Sequence, residues 1–196
     1  MTTLELPLEL WLMIFRHLNY FDLKKCIQVN KFFKSLVNHD SIRGLIIKGN
    51  VIPAGQALEV KNLAFHPALD MLRSESYTKI EHLAFVDYES DDLREWKLES
   101  TSAASEFATQ PASRVIVLRV HAWPVMVVSG KHGVTVLQVM KGLCRLFAKK
   151  VPEHLRLQGY EIARDLLGDH TGWVGFDEKT VDTKGRLLLG SEWFDS

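Results

Sequence analysis

The sequence predicts an α+β protein in two parts. A small N-terminal helical module precedes a C-terminal domain with a small, mostly antiparallel sheet and two main helices. Three observations carry this. Large apolar residues recur at helical spacing from Leu6 to Leu36, in short runs rather than one long one. The β-branched runs Val115 to Val120 and Val125 to Ser129 have the length and composition of strands. Helical patterns follow them without the strand–helix alternation of a doubly wound sheet.

Residues 5 to 18 read as a first helix, with Pro7 suited to the first helical position, where a missing N–H costs nothing. Asn19 and Tyr20 break the pattern, and Asp22 and Asn30 are N-caps for short helices at 23 to 28 and 31 to 38. Asp40 or Ser41 opens a further turn. Three short helices in so few residues give an orthogonal cluster. Residues 43 to 52 read as a short strand or extended exit, and Pro53 and Gly55 punctuate the boundary. The domains are thus expected at 1–48 and 60–196, with a linker at 49–59.

Asn62-Leu63-Ala64-Phe65 and His82-Leu83-Ala84-Phe85 read as two short apolar strands, too few for a repeat solenoid. Residues 86 to 113 read as a long acidic, then small-residue loop, with one strand or turn at Trp96. Thr135 and Gln138 form a capping box for a helix whose apolar face is Val136, Val139, Met140, Leu143 and Phe147. Pro152 opens the second main helix, with Leu155, Ile162, Ala163, Leu166 and Leu167 on one side. Leu187 to Leu189 is a last short strand.

Lys plus Arg equals Asp plus Glu, 24 each, which argues against nucleic acid as the main partner. Local imbalances remain: residues 1–48 and 141–164 are basic and residues 75–106 acidic, as solvated faces and a loop. The two cysteines, Cys26 and Cys144, fall in apolar helical patterns, as expected of thiols in a reducing compartment. No secretory signal and no apolar run long enough for a membrane span is present, which predicts a cytoplasmic or nuclear protein.

Acid–base and metal chemistry find little support. Asp87, Glu89, Asp91 and Asp92 lack the spacing and the glycine of a calcium loop. Asp165, Asp169 and His170 are the tightest C-terminal cluster, but Gly168 stands where the helix would need to continue. No metal, cofactor or catalytic residue is expected. Trp123 and Trp173, with Phe176, are the residues expected to line a substrate-recruiting surface.

The N-terminal stretch holds more apolar surface than a small helical unit can enclose, so part of it must face something else. Leu6-Pro7-x-Glu9-Leu10, Ile14-Phe15-x-x-Leu18 and Asp22-Leu23-x-x-Cys26-x-x-Val29-x-Lys31-x-Phe33-x-x-Leu36 fall in one ungapped register. From Leu6 to about Leu45 the segment resembles an F-box. Phe33 and Arg43 stand where many F-boxes carry Trp. The resemblance implies docking on a Skp1-like adaptor, and through it a cullin, by Leu6, Pro7, Leu10, Ile14, Phe15, Leu18, Leu23, Cys26, Val29, Lys31 and Phe33. It also implies a non-catalytic adaptor whose C-terminal domain recruits an unidentified protein for ubiquitination.

A fainter resemblance covers the C-terminal part. His66-Pro67-x-Leu69, Ala108-Thr109-x-Pro111, Trp123-Pro124-x-x-Val127, Gly133-Val134-Thr135-Val136 and Asp165-Leu166-Leu167 are similar to an uncharacterised domain of mushroom-forming fungi, and imply no mechanism. An alternative stays open: the C-terminal domain is an enzyme or small-ligand binder whose abundance the N-terminal module controls.

Overall fold

The computed structural model describes residues 6–18, 20–43, 52, 58–70, 72–74, 78–80, 83–86, 95–120, 125–167, 172–173, 175–191 and 194–195. The chain divides into two compact units, Met1–Lys48 and Gly49–Ser196. The extended exit expected at 43–52 lies almost wholly outside the described residues, as do Pro53, Gly55, Asp87, Glu89, Asp91, Asp92, Asp169 and His170.

Unit 1 is a cluster of four helices: α1 (Leu8–Arg16), α2 (Tyr20–Val29), α3 (Lys31–Val37) and α4 (Asp40–Arg43). Pro7 takes the N-cap of α1 rather than its first helical position. α2 begins before Asp22, which therefore sits in the first turn instead of capping it. A carboxylate there still meets the unpaired N–H groups of the helix start. Asn30 caps α3, its side-chain oxygen accepting from the Phe33 N–H at 2.7 Å. Phe15, Leu23, Leu36, Val37 and Ile42 form the core, with Trp11, Leu12, Leu18, Cys26, Ile27 and Phe33 packed partly buried against it.

Unit 2 is α+β. In chain order its strands are β1 (Ala64–Phe65), β2 (Leu72–Ser74), β3 (Leu83–Val86), β4 (Glu95–Lys97), β5 (Thr109–Gln110), β6 (Val115–Val120) and β7 (Met126–Ser129). Helices α5 (Val136–Phe147) and α6 (Glu153–Arg156) follow, then β8 (Gly172–Trp173), β9 (Glu178–Val181), β10 (Leu187–Ser191) and β11 (Phe194–Asp195). Among the described residues these make three sheets rather than one: β1–β5, β7–β6–β10–β9 and β11–β8–β2–β3–β4. Among the described residues all strand pairings are antiparallel except β6 with β10. Those two are the central strands of the four-stranded sheet, and Ile116, Val117, Leu118, Leu187, Leu188 and Leu189 are all buried. Continuous apolar runs are what a parallel pair covered on both faces needs.

α5 begins with the expected capping box. The Thr135 hydroxyl accepts from the Gln138 backbone N–H at 3.3 Å, and the Gln138 side-chain Oε1 accepts from the Thr135 N–H at 2.9 Å. Its face Val136, Val139, Met140, Leu143 and Phe147 is buried. Gly142 lets α5 approach the sheet, since a Cβ there would run into Val128 and Leu118.

The second main helix differs from expectation. α6 is one turn, and Gly159 (φ +94°) then turns the backbone left-handed, where a helix ends. The chain returns so that the Ala163 N–H donates to the Lys149 carbonyl at 2.8 Å. Asp165 opens a 3-10 turn, Ala163–Leu167, by accepting from the Glu161 and Ile162 N–H groups at 2.8 Å each. The apolar spacing from Leu155 to Leu166 thus spans a break. The 86–113 loop also differs. β4 lies at Trp96 as expected, but Leu98, Ala103, Ala104, Ala108 and Ala112 are buried core. Alanines bring backbone close without the large side chains that mark a core in sequence.

Candidate partner-binding surface

α1 is apolar apart from Glu9 and Arg16, and its apolar sides do different work. Trp11 and Phe15, four positions apart, face inward. Phe15 is 1% exposed. It meets Phe33 edge-on at 5.3 Å, and Trp11 meets Phe33 at 5.2 Å and Phe32 at 6.0 Å. Such tilted and T-shaped contacts suit the ring quadrupoles and fix how α1 sits on α3. Leu10, Met13 and Ile14 recur at i, i+3 and i+4 on the other side, and are 43%, 57% and 45% exposed. Leu6 and Leu8 are exposed at the helix start, and Val29 and Phe32 on the neighbouring helices. Seven large apolar side chains on so small a unit are an interface in composition.

The expected docking residues separate into three groups. Leu6, Pro7, Leu10, Ile14, Val29 and Lys31 are exposed. Leu18, Cys26 and Phe33 are half-buried and support the surface from its rim. Burial holds the Cys26 thiol pKa above its ordinary value, with the Asp22 charge adding to the shift. Phe15 and Leu23, expected as docking anchors, are instead enclosed in the core of unit 1, so they shape the surface without reaching it. Met13 lies on this surface and was not expected as a docking residue, nor were the exposed Leu8 and Phe32. For Leu8 and Met13 the signal was available, because α1 is apolar beyond a single stripe. The Arg43 side chain is outside what is described.

Unit 2 does not assemble the expected aromatic site among its described residues. Phe176 is 3% exposed and belongs to the interior, its N–H donating to Asp70 at 3.3 Å. Trp123 lies outside the described residues, and of Trp173 only the backbone, in β8, is described. A cleft of about 380 Å³ is lined by Ile80, Lys97, Glu99 and Ser100. Its polar groups have local partners: Glu99 meets Lys141 at 3.3 Å, and the Ser100 hydroxyl donates to the Lys97 carbonyl at 2.7 Å.

Among the described residues His66 is a fully enclosed polar side chain. Its Nδ1 accepts from the Ala68 N–H at 3.1 Å, so Nε2 carries the proton and faces Glu106 at 3.3 Å. This joins a 3-10 start to the segment before β5. Among the described residues no group of three His, Cys, Asp or Glu side chains could hold a metal ion. Among them, too, no helix is long and apolar enough to cross a membrane.

Comparison with known families places an F-box domain at residues 3–43. That segment is the four-helix unit whose α1 carries the outward apolar stripe. No curated protein and no solved structure matches the chain.

Proposed function

We propose that the F-box docks on Skp1 through Leu6, Leu10, Met13, Ile14, Val29 and Phe32, and so joins this chain to a cullin-RING ubiquitin ligase. Unit 2 then recruits a protein for ubiquitination, and the chain performs no chemistry itself. The observation that carries this is the pair of opposed faces on α1. One closes a complete core, and the other leaves Leu10, Met13 and Ile14 in solvent. A few buried apolar anchors supply most of the free energy of such an interface. The rival role, a catalytic or ligand-binding unit 2, has behind it, among the described residues, an open cleft whose Glu99 and Ser100 already have local partners.

The test co-expresses the full chain with Skp1 and compares wild type with Leu10→Asp combined with Ile14→Asp. Both positions are solvent-exposed, so the helix content should persist while Skp1 co-purification is lost. Undiminished Skp1 capture by the folded double variant sinks the assignment of this face.

A further inference from the structure

The four-stranded sheet ends in β9 on one side and β7 on the other. The two edges are treated differently. β9 carries Glu178 and Lys179, and Lys179 reaches Asp70 at 3.4 Å and lies 5.0 Å from the Phe65 ring, so charge and neighbouring chain guard that edge. β7 reads Met-Val-Val-Ser and has no charged residue. Met126 and Val128 turn toward α5, while Val127 is 48% exposed and the preceding Val125 44%. Among the described residues no backbone hydrogen bond reaches β7 except from β6.

Charge says what kind of strand belongs there. No Asp or Glu occurs from Phe107 to Pro152. Arg114, Lys131 and His132 are exposed at the C-terminal end of β7, where the Gly130 N–H donates to the Arg114 carbonyl at 3.0 Å. Among the described residues neither Arg114 nor Lys131 forms an ion pair.

We infer that β7 is the recruiting edge of unit 2. It takes an extended segment of a partner protein as an added antiparallel strand, with apolar residues beside Val125 and Val127 and acidic residues at the segment's N-terminal end, beside Arg114 and Lys131. Main-chain hydrogen bonds hold such a strand, and side-chain pockets and charge select it. This rests on the reading of unit 2 as the recruiting half.

The experiment uses the full chain co-purified with Skp1. The probe is a blocked, fluorescent peptide, Asp-Asp-Thr-Val-Thr-Val-Thr, followed by anisotropy. Saturable binding is expected. It should weaken about tenfold or more when both probe valines are N-methylated, and similarly with Val127→Lys. Lys131→Glu should weaken it and flatten its salt dependence. Absence of saturable binding overturns the inference, as does binding indifferent to N-methylation, which would be charge contact alone. Self-association abolished by Val127→Lys, without peptide binding, would give the edge to a second copy of this chain and overturn it too. Skp1 should co-purify with every variant; its loss would count against the F-box docking surface, and its retention without peptide binding against β7 alone.

Discussion

Phe15 and Ile14 are adjacent in sequence, yet one is buried and the other exposed, so alanine at each should fail in a different way. Phe15 is enclosed by Trp11, Phe33 and the aliphatic core of unit 1. Truncating a buried phenylalanine costs about 3–5 kcal/mol. A unit of Met1–Lys48 is worth only about 2–7 kcal/mol in total, at about 0.05–0.15 kcal/mol per residue. Phe15→Ala therefore removes most of that stability, and Skp1 is lost because the surface melts. Ile14 is 45% exposed, so Ile14→Ala should cost under about 1 kcal/mol of folding. If Ile14 is an anchor, its truncation weakens Skp1 by about 2 kcal/mol, roughly thirtyfold. Urea unfolding followed by far-ultraviolet circular dichroism reads the first effect, and calorimetric titration with Skp1 the second. A Phe15→Ala chain of wild-type stability, or an Ile14→Ala chain of wild-type affinity, refutes the division of α1 into two faces.

Two further outcomes follow from unit 2. Thr135→Ala removes the hydroxyl that caps α5 and should cost about 1 kcal/mol, lowering the midpoint of thermal unfolding by about 2–4 °C. Asp182 is held below its ordinary pKa of 3.8, first by the Arg186 side chain and then by the Arg186 N–H. Its folded pKa is depressed, so its contribution is complete above 3.8 and is lost as pH falls through the lower folded value. Hydrogen exchange in the β9–β10 turn should speed up over that acid window, and Asp182→Asn should abolish the pH dependence; an unchanged profile in that variant disproves the role.

What could be read from sequence was what is local. The Thr135–Gln138 box needs only its own four residues, and Asn30 needs only Phe33. β6 announced itself through its β-branched run, but nothing in that run names β10 as its parallel partner, because the pairing is decided by distant packing. The helix expected after Pro152 failed because apolar period carries no information about a left-handed residue within it, here Gly159. The segment from Leu98 to Ala112 was missed because alanine packs well and signals weakly. At the docking surface the excess of apolar residues was legible, and its direction was not. Both sides of α1 are apolar, so period alone could not say that Phe15 turns in and Ile14 out. Only the position of α3, with Phe33 against Phe15, decides it.

The parallel pairing of β10 with β6 also sets an order of events on the ribosome. Chains are made N-terminus first, and domains fold as units as they emerge. Everything the core of unit 1 needs, from Phe15 to Ile42, exists long before Leu187 has been added. β6 must wait for it. Until β10 arrives, β6 has only β7 beside it and stands as an open apolar edge, the kind of surface that recruits chaperones or aggregates. A nascent chain thus carries a finished F-box attached to an unfinished second unit. Synthesis halted before Leu187 would leave a protein with a complete F-box and a four-stranded sheet that cannot close.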